Sequence, residues 1–354
     1  MAAGTSYAAP IVSYFEGPGA ASAATEGGEW VDVNGRNMGN DASKIEAVRY
    51  VLDLDGREVP YVADNCTLTV PHEQLRCYTV EGAGRDLGWT VWVDGQPSSN
   101  PATHYGVPEI TNLVGNIVNA STDGGEWVWL VGDNFGPPVA SDGEPFVSEV
   151  TYGPSGVEYH AKDVTVANHT HVKVRTVPAI GEGLSFRIVV AGQRSSPSRV
   201  KFSHQRPQIL SLSPMSGPTY NFRPLVVTVK AKNLGLLDPS VSLSISFGND
   251  ADRTLVTIPD ASIKRVSPTL DKGRPSADGL HTVSFELPEG IAPRRGVVLH
   301  AKSTHIATPI DSPPVEFDYN APTLRFVEVT AIRSSGDEYD FILENFPSAA
   351  DREK

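Results

Sequence analysis

The sequence predicts an all-β protein built from several two-sheet sandwiches of about 100 residues each. Short segments alternate apolar and polar residues at the spacing of β-strands, and Gly, Pro, Asn and Asp interrupt them at intervals of roughly 8–12 residues. The first 200 or so residues also contain an internal repeat, which is typical of modular proteins. No long segment has the 3.6-residue periodicity of an amphipathic helix.

The clearest predicted strands are 90–94, 185–190 and 282–287. β-branched and aromatic residues dominate them, as expected for side chains that pack on a pleated sheet. Gly and Pro are frequent, at 32 and 28 residues, but they are not periodic, which excludes a collagen-like chain. Many short strands joined by turns explain this composition better.

The repeat fixes the domain length. Three motifs recur at a constant offset of 97 residues (124 − 27, 134 − 37 and 192 − 95). They are Gly-Gly-Glu-Trp-Val at 27–31 and 124–128, Asn-x-Gly at 37–39 and 134–136, and Gly-Gln at 95–96 and 192–193. One register over so long a stretch indicates two homologous domains.

The predicted domains are 10–107, 108–206 and a divergent third domain at 207–321, followed by a partial fourth unit or a pair of donated strands at 322–354. A proline begins each of these segments, and proline restricts hinge motion between domains. We expect each domain to bury its own interior, with Trp30 and Trp127 at matching positions between the sheets.

The charge and hydrophobicity of the sequence disfavour some classes of function. The 42 acidic and 29 basic residues give a net charge of −13, which disfavours nucleic-acid binding. No apolar run reaches the ~18–20 residues of a membrane span, and the N-terminal residues have no pattern of a secretory signal. The predicted partners therefore exclude nucleic acid, and no membrane span is expected in this segment.

The sequence contains no recognisable catalytic or cofactor-binding motif. There is no nucleophile elbow, phosphate loop or dinucleotide-binding fingerprint, so we expect no catalytic residue, no bound cofactor and no enzymatic activity. His169 and His171 are predicted on one face of a strand, and without a third ligand they favour a polar strand face over a metal site. The segment 53–56, Asp-Leu-Asp-Gly, lacks the remaining ligands of a calcium loop and favours a turn.

The two cysteines, Cys66 and Cys77, are 11 residues apart. This spacing suits neighbouring strands of a hairpin and does not match a zinc site. The residues alone leave open whether the two thiols are paired or are two unrelated buried thiols. A disulfide would indicate an oxidising compartment.

The motifs resemble those of IPT/TIG domains, the immunoglobulin-like modules of plexins, of hepatocyte-growth-factor-type receptors and of large surface proteins. The resemblance rests on the Pro-x-Ile/Val opening, the Gly-Gly pair before an apolar strand, the turn 132–136 (Gly-Asp-Asn-Phe-Gly) with its weaker counterpart at 35–39, and the Gly-Gln-x-Ser-Ser end. It covers about 320 residues and is weaker in the third domain, and the second and third domains lack cysteines. The resemblance implies tandem immunoglobulin-like β-sandwiches and a Cys66–Cys77 disulfide.

Three N-glycosylation sequons begin at Asn65, Asn119 and Asn168. All three fall in predicted loops or at strand edges, where covalent glycans are accessible. Together with the resemblance, they predict an extracellular or cell-surface glycoprotein.

The fourth unit predicts self-association. Two strands cannot bury a sandwich core, and an isolated hairpin is marginal in water. We expect the unit to add strands to a neighbouring subunit, giving a head-to-tail filament, unless the segment is simply a truncated domain. The apolar residues predicted to make this contact are Leu324, Phe326, Val327, Val329, Phe341 and Leu343.

The leading hypothesis is therefore a non-enzymatic extracellular structural protein, a stiff row of domains that polymerises into a filament or surface fibre. One alternative is the ectodomain fragment of a receptor or adhesin that binds a protein or glycan ligand. Another is an intracellular TIG module of a DNA-binding protein, which the acidic charge disfavours.

Overall fold

The computed structural model describes residues 7–99, 101–220, 223–237, 239–248, 255–266, 279–291, 294–321, 323–327 and 341–344. Within these ranges the chain is almost entirely β-structure. The helical segments described are single 3₁₀ turns at Pro18–Ala20, Ala42–Lys44 and Asp260–Ser262. The predicted fold class, all-β with tandem immunoglobulin-like sandwiches, is confirmed.

The first sandwich contains nine strands. In chain order they are β1 (Ile11–Glu16), β2 (Trp30–Arg36), β3 (Ile45–Leu54), β4 (Arg57–Val62), β5 (Asp64–Val70), β6 (Gln74–Tyr78), β7 (Leu87–Val93), β8 (Gln96–Pro97) and β9 (Ala102–Thr103). One sheet has the order β1-β2-β6-β5, and the other has the order β4-β3-β7-β8, with β9 also paired to β7.

The second sandwich contains eight strands. They are β10 (Glu109–Gly115), β11 (Trp127–Asp133), β12 (Val147–Gly153), β13 (Tyr159–His160), β14 (Lys162–Asn168), β15 (His171–Arg175), β16 (Ser185–Val190) and β17 (Gln193–Arg194). The sheets have the orders β10-β11-β15-β14 and β13-β12-β16-β17.

The third sandwich is more irregular, and a two-stranded hairpin follows it. Its strands are β18 (Gln208–Ser213), β19 (Ser216–Gly217), β20 (Val226–Lys232), β21 (Val241–Phe247), β22 (Val256–Ile258), β23 (Lys264–Val266), β24 (His281–Glu286), β25 (Arg295–Ser303), β26 (Ile310–Asp311) and β27 (Val315–Tyr319), and the hairpin is β28 (Thr323–Val327) with β29 (Phe341–Glu344). One sheet has the order β18-β20-β24-β23, and the other is β19-β27-β25-β21-β22, with β26 paired to β25.

The same strand order therefore occurs in the first sheet of all three sandwiches. In these sheets β2, β11 and β20 each lie between the first strand of the sandwich and a later antiparallel pair of strands, which matches the A-B-E-D sheet of immunoglobulin domains. Alternate residues of a strand point to opposite faces of its sheet. The residues of β2 and β11 that face inward are fully buried: Val31, Val33, Val128 and Leu130.

An asparagine turn follows the equivalent strands β2, β11 and β20 of the three sandwiches. Asn37, Asn134 and Asn233 have φ angles of 63°, 61° and 64°, a left-handed conformation that asparagine tolerates. Each side-chain amide also donates a hydrogen bond to a carbonyl 27 or 28 residues earlier, at the entry to its own sandwich. The next residue (Met38, Phe135 or Leu234) is fully buried and closes the end of the core.

The buried interiors differ from the expectation of separate cores. The described chain divides into two compact units, and the first contains most of the first two sandwiches: residues 1–120, 124–177 and 182–203. Its buried residues form one contiguous cluster from Val12 to Phe202. The two sandwiches are thus joined through buried side chains. The second unit has its own cluster, centred on Val229, Ile245 and Phe317.

Candidate functional site: the joint between the first two sandwiches

The joint begins with an aromatic cluster at one end of the first sandwich. The Tyr50 ring stacks on Trp89 at 4.5 Å and on Tyr61 at 4.9 Å between centroids. The Tyr50 hydroxyl lies 2.9 Å from that of Tyr105, which donates a 2.6 Å hydrogen bond to the Val80 carbonyl. Burial raises the pKa of Tyr50 and of Tyr105, so both phenols stay neutral and act as hydrogen-bond partners at physiological pH.

The loop Gly82-Ala83-Gly84 covers this cluster and contacts the second sandwich. A Cβ on Gly82 would lie 2.7 Å from Cε1 of Tyr61 and 2.9 Å from Oη of Tyr105, so only glycine fits. Gly136, in the asparagine turn of the second sandwich, has a φ of +73°, and a Cβ there would lie 3.1 Å from Cβ of Ala83. The loop of one sandwich therefore fits closely against the turn of the next.

Polar contacts complete the joint. The Gln193 side chain, itself buried, donates a 3.1 Å hydrogen bond from Nε2 to the Tyr105 carbonyl. At the edge, the Arg57 guanidinium binds both carboxylate oxygens of Asp142, at 2.6 and 2.7 Å. This hydrogen-bonded pairing lowers the pKa of Asp142 to about 2.

Sequence reasoning missed these joint residues. The recurrence of Gly-Gln at 95–96 and 192–193 was a usable signal, because it marks Gln193 as part of a repeated motif. Nothing in the local sequence points to the Arg57–Asp142 pair, whose members are 85 residues apart.

The predicted strand through His169 and His171 is wrong. β14 ends at Asn168 and β15 begins at His171, so His169 lies in the hairpin turn and the two imidazoles are not neighbours on one strand face. The His169 Nδ1 atom lies 3.0 Å from Oγ1 of Thr25, and Nε2 lies 3.6 Å from Oε2 of Glu81, so this histidine belongs to the joint. Among the described residues, no group of three or more His, Cys, Asp or Glu is placed to hold a metal ion.

The segment 53–56 is a hairpin turn between β3 and β4. The Gly56 amide donates a 2.7 Å hydrogen bond to the Asp53 carboxylate, and Asp55 has a φ of 55°. This agrees with the turn favoured by the sequence.

Cys66 and Cys77 form a disulfide, as the resemblance implied. Cys66 lies on β5 and Cys77 on β6, so the bond joins neighbouring strands of one sheet at an irregularity in their pairing. Cys77 is fully buried. The second sandwich has Asp163 and Val174 at the positions 97 residues later and is held without a covalent link.

All three predicted glycosylation sites, Asn65, Asn119 and Asn168, are exposed. Asn65 lies on β5, and its amide donates to the Asp64 carboxylate at 3.1 Å. Asn168 ends β14, and its Oδ1 accepts hydrogen bonds from the amide and the hydroxyl of Thr170, each at 3.0 Å. Glycan attachment at these sites stays a prediction.

The expected burial of Trp30 and Trp127 between the sheets is wrong. The inward positions of β2 and β11 are taken by Val31 and Val128, both fully buried, so the adjacent tryptophans face outward. Trp30 is partly buried, and Trp127 is 43% exposed. Trp89 is the tryptophan that fills the core of the first sandwich.

The residues predicted for self-association fall mostly on the terminal hairpin. β28 pairs antiparallel with β29, with Leu324 opposite Leu343 and Val327 opposite Phe341. Phe326 also lies on β28, whereas Val329 lies outside the described residues. Within the part of the chain that the structure describes, the two strands pair only with each other.

No family model and no curated protein matches the chain. Among solved structures, the full extracellular region of plexin A4 matches with 12% identity, covering 96% of this chain and 29% of the other, at a TM-score of 0.26. A putative membrane-anchored protein from Corynebacterium diphtheriae matches with 13% identity over 86% of this chain and 90% of the other, at a TM-score of 0.18. The BSP domain of a biofilm-associated protein matches with 9% identity over 87% of this chain and 67% of the other, at a TM-score of 0.17. This chain thus spans under a third of the plexin region. Scores this low carry no argument about the function of this chain.

No described helix has the length and apolar character needed to cross a membrane.

Proposed function

We propose that this chain is a non-enzymatic extracellular structural protein in which the first two immunoglobulin-like sandwiches act as one rigid module. The observation that carries the proposal is the buried joint. A single cluster of buried residues runs through both sandwiches, and the buried Gln193 ties the second sandwich to the Tyr105 carbonyl. A ligand-driven hinge would not bury apolar and polar groups at its moving part, because opening would expose them to water.

The extracellular assignment is supported by the chemistry of the first sandwich and by the sequons. Disulfides persist in oxidising compartments, and the Cys66–Cys77 bond closes a hairpin that contains no other cysteine. The three sequon asparagines are exposed, as glycan attachment requires. The IPT/TIG-like motifs also resemble those of plexins and other surface proteins.

Residual dipolar couplings test the rigid module. We expect amide couplings from the first and second sandwiches to fit one alignment tensor. In a Gly136→Val variant the new Cβ would lie 3.1 Å from Cβ of Ala83 across the joint, so we expect the larger side chain to separate the two sandwiches and give two different tensors while each keeps its own structure.

A Gly95→Val substitution is the matched control, because a Cβ on Gly95 meets no atom within 4 Å and the residue lies in a hairpin turn away from the joint. Gly136 and Gly95 have similar positive φ angles, +73° and +79°, so the backbone strain of valine is comparable in the two variants and only the contact at the joint differs. Two independent tensors in the unmodified protein would refute the rigid module.

The filament belongs to the same proposal. The terminal hairpin leaves its outer strand edges unpaired among the described residues, and such edges accept strands from another copy. In sedimentation velocity we expect concentration-dependent oligomers, which Leu343→Pro abolishes because proline cannot donate a ladder hydrogen bond. Met215→Ser, on an exposed side chain of the third sandwich, is the control and leaves the oligomers intact. A chain that stays monomeric at all concentrations would refute self-association.

A second candidate function is ligand recognition by an ectodomain. The outward-facing tryptophans of the second sandwich favour it, since an exposed indole is a common element of binding surfaces.

A further inference from the structure

The outer face of the sheet containing β11 and β15 presents aromatic and basic side chains in two adjacent rows. On β11, Trp127 and Trp129 alternate with the buried Val128 and Leu130, so both indoles face outward, ~6.6 Å apart along the strand. Across the ladder, Trp127 is opposite Arg175 and Trp129 is opposite Lys173. His171 follows on the same side of β15.

The ammonium group of Lys173 lies between the two indoles. It is 4.4 Å from the ring centroid of Trp127 and 5.6 Å from that of Trp129. Arg175 approaches Trp127 at 5.9 Å, and the ring of His171 meets Trp129 edge-on at 6.3 Å. We call these five residues the Trp–Lys face. Trp127 remains 43% exposed despite the two cations.

The first sandwich has the same arrangement with one decisive difference. Arg76 lies 4.4 Å from the ring centroid of Trp30, and these two positions are 97 residues before Lys173 and Trp127. There, however, the Asp32 carboxylate holds the guanidinium with two hydrogen bonds of 2.7 Å, and the carboxylate is almost fully covered. The charge of the first face is therefore neutralised within the protein.

In the second sandwich the residue equivalent to Asp32 is Trp129. Lys173 therefore loses its internal carboxylate, and the described residues contain no acidic side chain within salt-bridge distance of it. Arg175 forms a 3.4 Å ion pair with Asp163 and donates a 3.4 Å hydrogen bond to the Gly125 carbonyl. Both side chains of the ion pair are about half exposed, and such pairs contribute little binding energy. Lys162 is exposed opposite Arg175 and adds to the positive charge. In a protein of net charge −13, this face is therefore a local concentration of positive charge.

We propose that the Trp–Lys face binds an anionic saccharide, one that carries sulfate or carboxylate groups. The flat indole rings offer apolar faces on which a sugar ring can stack, while Lys173 and Arg175 supply charged donors to its anionic group. A protein partner fits less well, because stable protein interfaces bury about 800 Å² on each side and this aromatic patch is only two side chains wide. The proposal goes beyond the structural role above and does not depend on it.

The test is calorimetric titration of the full, disulfide-bonded chain with three polysaccharides. Dextran sulfate and polygalacturonate supply sulfate and carboxylate groups, and uncharged dextran is the control for sugar stacking alone. We expect at least one anionic polymer to bind, with affinity that falls as salt is added, and dextran not to bind. Equal binding of dextran, or binding of none of the three, overturns the proposal.

Variants locate the site. Trp129→Asp recreates the arrangement of the first sandwich, and we expect it to weaken binding at least tenfold by neutralising Lys173. Lys173→Gln should do the same, and since its side chain lies on the surface it serves if Trp129→Asp impairs folding. Trp30→Ala, on the neutralised face, is the matched control and should change affinity less than twofold. Equal losses in Trp30→Ala and Lys173→Gln overturn the assignment.

Two further measurements separate stacking from charge. We expect Trp127→Ala to weaken binding at least fivefold although it removes no charge. Retention of full affinity by Trp127→Ala, or equal affinity for poly-glutamate, overturns the proposal in favour of an acidic peptide that binds by charge alone.

Discussion

At the scale of single residues, the asparagine turns explain why one residue type recurs in all three sandwiches. Asparagine tolerates the left-handed backbone that the turn requires, and its amide reaches the carbonyl at the entry to the sandwich. The side chain therefore fixes both the turn and the path of the incoming chain. The Asn-x-Gly motif therefore has a structural role in each turn.

We expect Asn134→Ala to lower the free energy of unfolding of the first unit by about 1–3 kcal/mol. Alanine at a φ of 61° is strained, and the bond to the Val107 carbonyl is lost. Asn134→Gly is the matched control, because it removes only the hydrogen bond and should cost less. Chemical denaturation measures both. Equal stability of the alanine variant and the parent would contradict this account.

A buried histidine in the third sandwich predicts acid sensitivity. His281 is 1% exposed, and neither ring nitrogen has a hydrogen-bond partner among the described residues. Burial lowers the pKa of His281 to about 4, from an ordinary value of 6.5. The folded state therefore holds this ring neutral, while the unfolded chain takes up a proton as the pH falls below 6.5.

The contribution of the neutral ring to the free energy of unfolding is therefore fully present above pH 6.5. It decreases as the pH falls from 6.5 towards 4, by about 3 kcal/mol at the lower limit. Denaturant titrations of the third sandwich between pH 7 and pH 4 measure this slope. His281→Leu should flatten it, since the ring that takes up the proton is gone. An unchanged slope in His281→Leu would show that another group is responsible.

At the scale of elements, the first sandwich differs from its neighbours in one covalent link. The disulfide joins β5 to β6, where the pairing of the two strands is irregular. The corresponding hairpin of the second sandwich, β14 with β15, is also irregular but has no link. The outer face of β15, together with that of β11, carries the Trp–Lys face.

We expect reduction of the Cys66–Cys77 bond to destabilise the first unit by roughly 2–3 kcal/mol, the value for a loop of this length. The third sandwich has no cysteine and is the internal control: its unfolding should not change with reductant. Differential scanning calorimetry with and without reductant separates the two transitions. A shift of both transitions, or of neither, would contradict a purely local effect.

At the scale of the whole molecule, the first two sandwiches form one compact unit and the third sandwich belongs to another. The contacts that unite the first pair come from residues far apart in the chain, such as Gln193 with Tyr105 and Arg57 with Asp142. The glycine loop at 82–84 and the asparagine turn at 134–136, which are far apart in the sequence, also meet at this joint. The proposed structural role rests on that contact more than on either sandwich alone.

The prediction of sandwiches succeeded because its signals are local. The alternation of residues in β7, β16 and β24 and the constant 97-residue offset depend only on neighbours in the chain and on the copied register. The His169 prediction failed for the same reason: a two-residue turn between β14 and β15 breaks a pattern that looks continuous in the sequence.

The sequence by itself determined the all-β class, the strand segments, the asparagine turns and the pair of cysteines, since each depends on backbone preferences or on residues close together. Only the tertiary structure decided that the interiors of the first two sandwiches are continuous and that Trp127 and Trp129 face solvent. Which face of a strand is buried, and which distant side chains meet, depends on how the sheets and sandwiches pack. No local pattern in the amino-acid sequence specifies that packing.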